Sequence, residues 1–296
     1  MSAAKHQQAS SRSFKEVKEQ IKAVDQVLEL LDARAPMASR NPYLKNLIRD
    51  KGHITVLNKA DLADEQVTKS WLQHFKSQDQ QTLAVGKNTP LKAINAALKK
   101  YSPPPKRFNK PRRIMVIGVP NVGKSTVINT LLKKKMARTG DRSGITRGRQ
   151  WIRVLPELEL LDTPGVLAPF LDDNNYLTLA VLGTLPEQQF DVLEAAARLL
   201  NYFWERGKFQ QIQNRYEITI QDSPAEPLAI IDDICRQRGL FVKGGETDQY
   251  RGAHVLLKEF REGKLGRISL ETPADAENAG EDGDDGEAGA EQPEQH

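Results

Sequence analysis

Apolar residues recur along this chain in two alternating rhythms. Phe14, Val17, Ile21 and Val24 fall three to four positions apart and predict a helix face. Val27-Leu28-Glu29-Leu30-Leu31-Asp32 then reads as a strand running into a loop, residues 41–49 as a helix, and Ile54-Thr55-Val56-Leu57 as a short buried strand. Helices are expected over 65–76 and 91–99, on either side of a strand at Thr82-Leu83-Ala84-Val85. Further on, Ile114-Met115-Val116-Ile117 and Leu158-Glu159-Leu160-Leu161 are strands, with a helix over 124–132 between them. Strands that alternate with helices in this way imply a parallel sheet with crossover helices.

Two stretches break the pattern. Residues 102–113 hold Pro103, Pro104, Pro105 and Pro111 among five basic residues, which rules out a helix or a central strand and predicts an extended connector. Beyond Pro169 the strand signal stops. Val192, Ala196, Leu199 and Phe203 mark one helix face, Leu228, Ile231 and Ile234 a second, and Val255, Leu256 and Phe260 a third, with Gly244-Gly245 as a turn between the last two. The organisation expected is a flexible polar N-terminus (1–13), an α/β domain (14–177, with its linker at 102–113), a small all-α domain (178–272) and an acidic tail (273–296).

Candidate chemistry lies at the ends of the predicted strands. Gly118-Val119-Pro120-Asn121-Val122-Gly123-Lys124-Ser125 fits Gly-x4-Gly-Lys-Ser between a strand and a helix, the context of a phosphate-binding loop. By average residue usage about one chain in a hundred of this length would match by chance. The amides of Val122, Gly123 and their neighbours would converge on phosphate at the positive end of the following helix. Lys124 would bridge the β- and γ-phosphates, Ser125 would ligate Mg2+, and Thr126 would join the phosphate contacts.

Asn58-Lys59-Ala60-Asp61 reads as a guanine-recognition box. Asp61 can accept from both N1–H and the exocyclic amine, a pair that adenine does not present. Asn58 is expected to donate toward O6 and the Lys59 stem to cover the ring. Asp-x-x-Gly occurs twice, and the copy that follows a strand, Asp162-Thr163-Pro164-Gly165, is assigned as the sensor: Asp162 reaches magnesium through water, and the Gly165 amide meets the γ-phosphate. Thr146, in the glycine-bounded stretch 140–148, is the candidate switch threonine closing on magnesium.

The order of these motifs is unusual. The guanine box stands 60 residues ahead of the phosphate loop, where a Ras-like chain would have it last. The cyclic order survives and the starting point has moved, which defines a circularly permuted Ras-like P-loop GTPase domain. Val166 follows Gly165 where Ras-like enzymes use a glutamine to orient the attacking water, so the water-positioning group is unassigned.

Charge adds a partner. From Asp275 to His296 the chain has nine acids and no Lys or Arg; the remaining 43 basic and 30 acidic residues give a body charge of +13, against +4 for the whole. Such a body attracts polyanions by counterion release. Lys133, Lys134, Lys135, Arg138, Arg142, Arg147, Arg149 and Arg153, with Trp151 among them, crowd the switch region and point to RNA sensed by that switch. The tail has no aromatic residue and is expected to be disordered. Cys235 is the single cysteine, read as a packed helix residue in a reducing compartment. No apolar run of about 18 residues predicts a membrane span, and a cytoplasmic monomer is expected, with an organelle stroma or matrix as the alternative location.

Together with this motif order, Leu31-Asp32-Ala33-Arg34-Ala35-Pro36, Ser39-Arg40-Asn41-Pro42, residues 140–147 and the closing Gly263-Lys264-Leu265-Gly266-Arg267 resemble the ribosome biogenesis GTPase A family over about residues 14–272. The resemblance implies a GTPase that matures the large ribosomal subunit and binds its precursor rRNA with help from the helical domain. It also implies potassium as a second activating cation, with Asn121 as ligand, and guanine-side contacts near Gly86 and Lys87, through backbone because Val85-Gly86 replace a Ser-Ala pair. The family's N-terminal Trp-Phe-Pro-Gly-His segment is replaced by Lys5-His6-Gln7-Gln8-Ala9, so His6 is only a displaced candidate for the histidine implicated in hydrolysis. Two other readings fit less of the sequence: a nucleotide-gated RNA-binding switch with negligible turnover, and a permuted GTPase of small-subunit assembly.

Overall fold

A computed structural model describes residues 15–100, 111–139, 151–155, 158–162, 173–219 and 226–281. Six strands form one sheet in the order β3-β2-β1-β4-β6-β5. They are β1 (Gln26–Asp32), β2 (Gly52–Asn58), β3 (Thr82–Val85), β4 (Arg112–Ile117), β5 (Trp151–Leu155) and β6 (Leu158–Asp162). All neighbours pair in parallel except β5, which runs antiparallel to β6. The central pair, β1 and β4, comes from opposite sides of the proline-rich connector, as a chain that starts in mid-fold requires.

Helices cover both faces, which is why β1 is buried along its whole length and β4 over its last four residues. Period-two alternation still sorts their residues. Ile114 and Val116 enter the main core, while Met115 and Ile117 join Val17, Ile21, Val27, Leu44 and Ile48 on the opposite face. That second face is closed by α1 (residues 15–20) and α2 (Leu44–Ile48). A third cluster packs Trp71 and Phe75 of α3 (Glu65–Ser77) against Leu31 and Leu57. The aspartate before α3, Asp64, accepts from the amides of Gln66 and Val67 and so fixes where that helix begins. The α/β part is completed by α4 (Leu91–Lys100) and α5 (Lys124–Thr139).

The helical part consists of α6 (Asp173–Leu182), α7 (Val192–Glu205), α8 (Gln210–Tyr216), α9 (Pro227–Arg238) and α10 (Gln249–Arg261). It begins at α6, five residues ahead of the expected boundary. The predicted face of α7 is buried, as are Leu256 and Phe260 of α10 with Val255 half-buried, but on α9 Leu228 is exposed and Ile230 and Cys235 take inward positions beside Ile231 and Ile234. Gly244 and Gly245 do make a turn, both with positive φ. Among the described residues no helix is long and apolar enough to cross a membrane.

Three expectations are corrected. β4 begins at Arg112, so Arg112 and Arg113 belong to the sheet and not to the linker. Trp151, expected in the switch region, sits in an edge strand absent from the sequence reading, β5, with the Arg113 guanidinium 4.4 Å from its ring centre. The expected disordered tail opens with a helix, α11 (Pro273–Glu281). Composition missed α11 because its stability is tertiary. Ala276 packs on the Trp71 cluster, Asp275 pairs with Arg206 at 2.6 Å, and Glu277 lies 3.3 Å from His74.

The segment leading into α11 is tied to the loop after β1 and to α3. Glu271 accepts from the Met37 and Ala38 amides at 2.8 and 2.9 Å, and its own carbonyl accepts from the Trp71 indole. Removal from water pushes the Glu271 pKa up to about 7; the two amides oppose the shift and the charges of Asp275 and Asp32 add to it. Because the folded pKa lies above the ordinary 4.5, the group's contribution to stability is present below pH 4.5 and is lost as pH rises toward about 7. Thermal unfolding between these pH values should therefore show a falling Tm in the wild type, and Glu271→Gln should flatten that component.

Candidate functional site

The carboxyl ends of β1, β2, β4 and β6 open on one edge of the sheet, where ligands collect in parallel α/β folds. After β4 the chain turns through the glycine-rich loop into α5. Asn121 in that loop holds a left-handed backbone, φ 57°, as does Lys59 in the loop after β2, φ 58°. Non-glycine residues in this region cost energy and persist where surrounding contacts fix them.

One such contact joins the two loops. The side-chain nitrogen of Asn58 donates to the Val122 carbonyl at 2.7 Å, bridging the predicted guanine box and the phosphate loop. Gly123 makes this approach possible: a Cβ there would stand 2.2 Å from the Asn58 Nδ2, on a backbone at φ 106°. Asn58, expected to donate toward a base, here braces the two loops through its side-chain nitrogen. No sequence signal marks this role, because it depends on a contact 64 residues away.

Lys124 is buried, and its ammonium donates to the carbonyls of Gly118 and Val119 at 3.2 and 3.0 Å, folding over the loop that it would serve. Ser125 and Thr126 are exposed on the first turn of α5. Val116 pairs with Asp162, so the sensor strand ends beside the strand that feeds the phosphate loop. The Asn121 side chain donates to the Gly183 carbonyl at 2.8 Å, just past α6. Thr146, Gly165 and His6 lie outside the described residues.

The guanine box is held from three sides. Asp61 accepts from the Lys87 amide at 3.0 Å, and Gly86 lets the two segments meet, since a Cβ there would lie 2.8 Å from the Asp61 Oδ1. Gly86 and Lys87, expected to meet guanine through backbone, thus lie against the Asp61 carboxylate. Ala60 is bound through both backbone groups: its amide donates to Val85, and its carbonyl accepts from Arg267 at 3.1 Å. Arg267 also donates to Ala63 at 2.7 Å, and the Ile268 amide to Leu62. Lys59 reaches inward, its ammonium 3.0 Å from the Asp32 carboxylate.

Asp32 entered the sequence analysis as a strand end and as part of a resemblance; the structure places it against Lys59 of the guanine box. It is fully buried at the end of β1 and takes two side-chain bonds from Arg34, at 2.9 and 2.8 Å. Burial alone would raise its pKa, but the charges of Arg34 and Lys59 outweigh that effect and hold the carboxyl well below its usual range. The available signal was a charged residue closing an apolar strand.

A strand–glycine loop–helix and an Asn-Lys-Ala-Asp loop, braced at one sheet edge in permuted order, define the class of circularly permuted P-loop GTPase folds. Known proteins agree. A family model described as 50S ribosome-binding GTPase matches residues 113–230, and one described as RsgA GTPase matches 24–171. Ribosome biogenesis GTPase A of Bacillus licheniformis is 40% identical over 275 residues, covering 90% of this chain and 96% of its own length. The crystal structure of GNP-bound YlqF from T. maritima superposes with a TM-score of 0.66 at 30% identity, covering 88% of this chain and 98% of that one. A GDP-bound YlqF structure matches equally, with a TM-score of 0.66. The chain belongs to the ribosome biogenesis GTPase A family.

Removing the brace should be measurable without any ligand. Asn58→Ala leaves the buried Val122 carbonyl unpaired and is expected to lower the urea unfolding free energy by about 1–3 kcal/mol. A loss well below this range would show that water replaces the amide at no cost.

Proposed function

We propose that the protein is a GTPase of ribosome biogenesis that acts on the large-subunit precursor, binding GTP and rRNA and hydrolysing GTP to time its release. One observation carries the reading: the Asn58–Val122 bond brings a guanine box and a phosphate loop onto one sheet edge in a single braced unit. The printed names of the relatives, ribosome biogenesis GTPase A and 50S ribosome-binding GTPase, support the biological setting. A body charge of +13 favours an RNA partner.

The residues divide the work. Asp61 offers carboxylate oxygens to the N1–H and amine edge of guanine while the Lys87 amide keeps it in place. A site built on such hydrogen bonds discriminates strongly, by about 10⁴-fold in favourable cases. Loop amides around Val122 and Gly123 meet phosphate at the head of α5. Lys124 exchanges its two carbonyl partners for β- and γ-phosphate oxygens, so the loop opens to nucleotide by releasing an internal bond.

The donor set fits a hard divalent cation. The exposed Ser125 hydroxyl and Asp162 at the adjacent strand end are oxygen donors of the kind magnesium takes. Magnesium, when bound, neutralises charge on the transferring phosphoryl. Asn121 fits potassium in the same sense: its side-chain amide oxygen is a hard donor, and the bond to Gly183 uses the nitrogen. The group that positions the attacking water is unassigned.

Three measurements test this. Wild type should bind GDP at least about 100-fold more tightly than ADP, and Asp61→Ala should erase that preference. Lys124→Ala should lower GTP turnover by at least about 100-fold. Depletion of the protein should make a large-subunit precursor accumulate in a sucrose gradient. Accumulation of a small-subunit precursor instead would move the protein to the other assembly pathway.

A further inference from the structure

Phosphate and guanine recognition, as described, make no use of Asp32 or Arg34. Yet Asp32 is the residue that Lys59 points at. Its Cα pairs with Asn58 in the parallel register of β1 and β2, so its carboxylate emerges beside the first residue of the guanine box. Lys59 leaves that box on a left-handed backbone and stretches its stem back to the Asp32 Oδ2 at 3.0 Å. An unanchored lysine would lose rotamer freedom on covering a base; an anchored one has lost it already.

Arg34 fixes the anchor. Its planar guanidinium grips both Asp32 oxygens, and its amide donates to Oδ1 at 3.1 Å. The other side of Arg34 belongs to the helical part. The guanidinium carbon lies 4.7 Å from the ring centre of Phe260 in α10, and the Arg34 carbonyl accepts from the Leu270 and Glu271 amides at 2.7 and 3.3 Å.

We infer that Asp32 and Arg34 are positioning residues for the guanine site, holding the Lys59 side chain across the base plane and linking that setting to the helical domain through Phe260 and Leu270. The inference rests on the guanine-nucleotide reading above. Its consequence is reciprocal: a partner that shifts α10 changes nucleotide affinity, and nucleotide changes partner affinity by the same factor.

A double-mutant cycle on the full chain tests it, with GDP affinity measured by calorimetry. Asp32→Asn should weaken GDP by about tenfold when Lys59 is present, and by less than about twofold in a Lys59→Met background. Equal losses in the two backgrounds would overturn the inference, because a purely structural role does not depend on the lysine. If Asp32→Asn does not fold, Phe260→Leu serves in its place. It keeps an apolar side chain but removes the ring from Arg34, and should weaken GDP by about threefold, again only with Lys59 present. Loss-free binding by Phe260→Leu in the Lys59 background would break the link to the helical domain. Equal affinity of the wild type for GDP and ADP would instead remove the guanine reading itself, a result distinguishable from either.

Discussion

A single buried carboxylate constrains the nucleotide edge of this protein. Asp32 ends the central strand β1 with no water around it, and a charge in that position is tolerable only when every oxygen is matched. It receives the Arg34 amide, two guanidinium bonds and the Lys59 ammonium. The two donor residues come from different pieces of architecture. Lys59 brings the guanine box, and Arg34 brings the loop after β1 together with Phe260 of the helical part. Removing one partner from such a set leaves buried charge uncompensated, so the members hold one another in one arrangement.

The permuted chain order makes these connections possible. Because the chain enters the fold ahead of β1, the guanine box is complete before the phosphate loop is made, and the segment beyond β6 continues into helices instead of returning to the sheet. The helical part therefore reaches the nucleotide edge at two places. Gly183, past α6, accepts from Asn121 of the phosphate loop, and Arg267 and Ile268, past α10, bind the guanine box from outside. A change at either loop can reach the helices through hydrogen bonds as well as through the covalent chain.

Local chemistry was legible in the sequence. The glycine loop and the Asn-Lys-Ala-Asp box sit at strand ends, as their flanking apolar runs required, and Gly86 and Lys87, which the resemblance put near guanine, lie against Asp61 of that box. What the sequence concealed was long-range. The Asn58 brace pairs residues 64 positions apart and carries no spacing rule. Helix α11 looked like solvated acidic tail because nothing in its own composition shows that Trp71, two hundred residues earlier, offers a surface for Ala276. Leu228 has an inward-looking period and is exposed, since at the start of α9 Ile230 fills the core position. Strand β5 was missed because its apolar residues Trp151, Ile152, Val154 and Leu155 flank a single Arg153 with no period-two alternation.

The central claim is that guanine box, phosphate loop and helical closing segment respond to nucleotide as one unit. Hydrogen exchange on the full chain, read by mass spectrometry with and without GDP, tests it most directly. GDP should slow exchange in residues 118–126 and 58–64, and also at the Ile268 and Leu270 amides that bond Leu62 and Arg34. Slowing confined to 118–126 and 58–64, with 265–271 unchanged, would contradict the account.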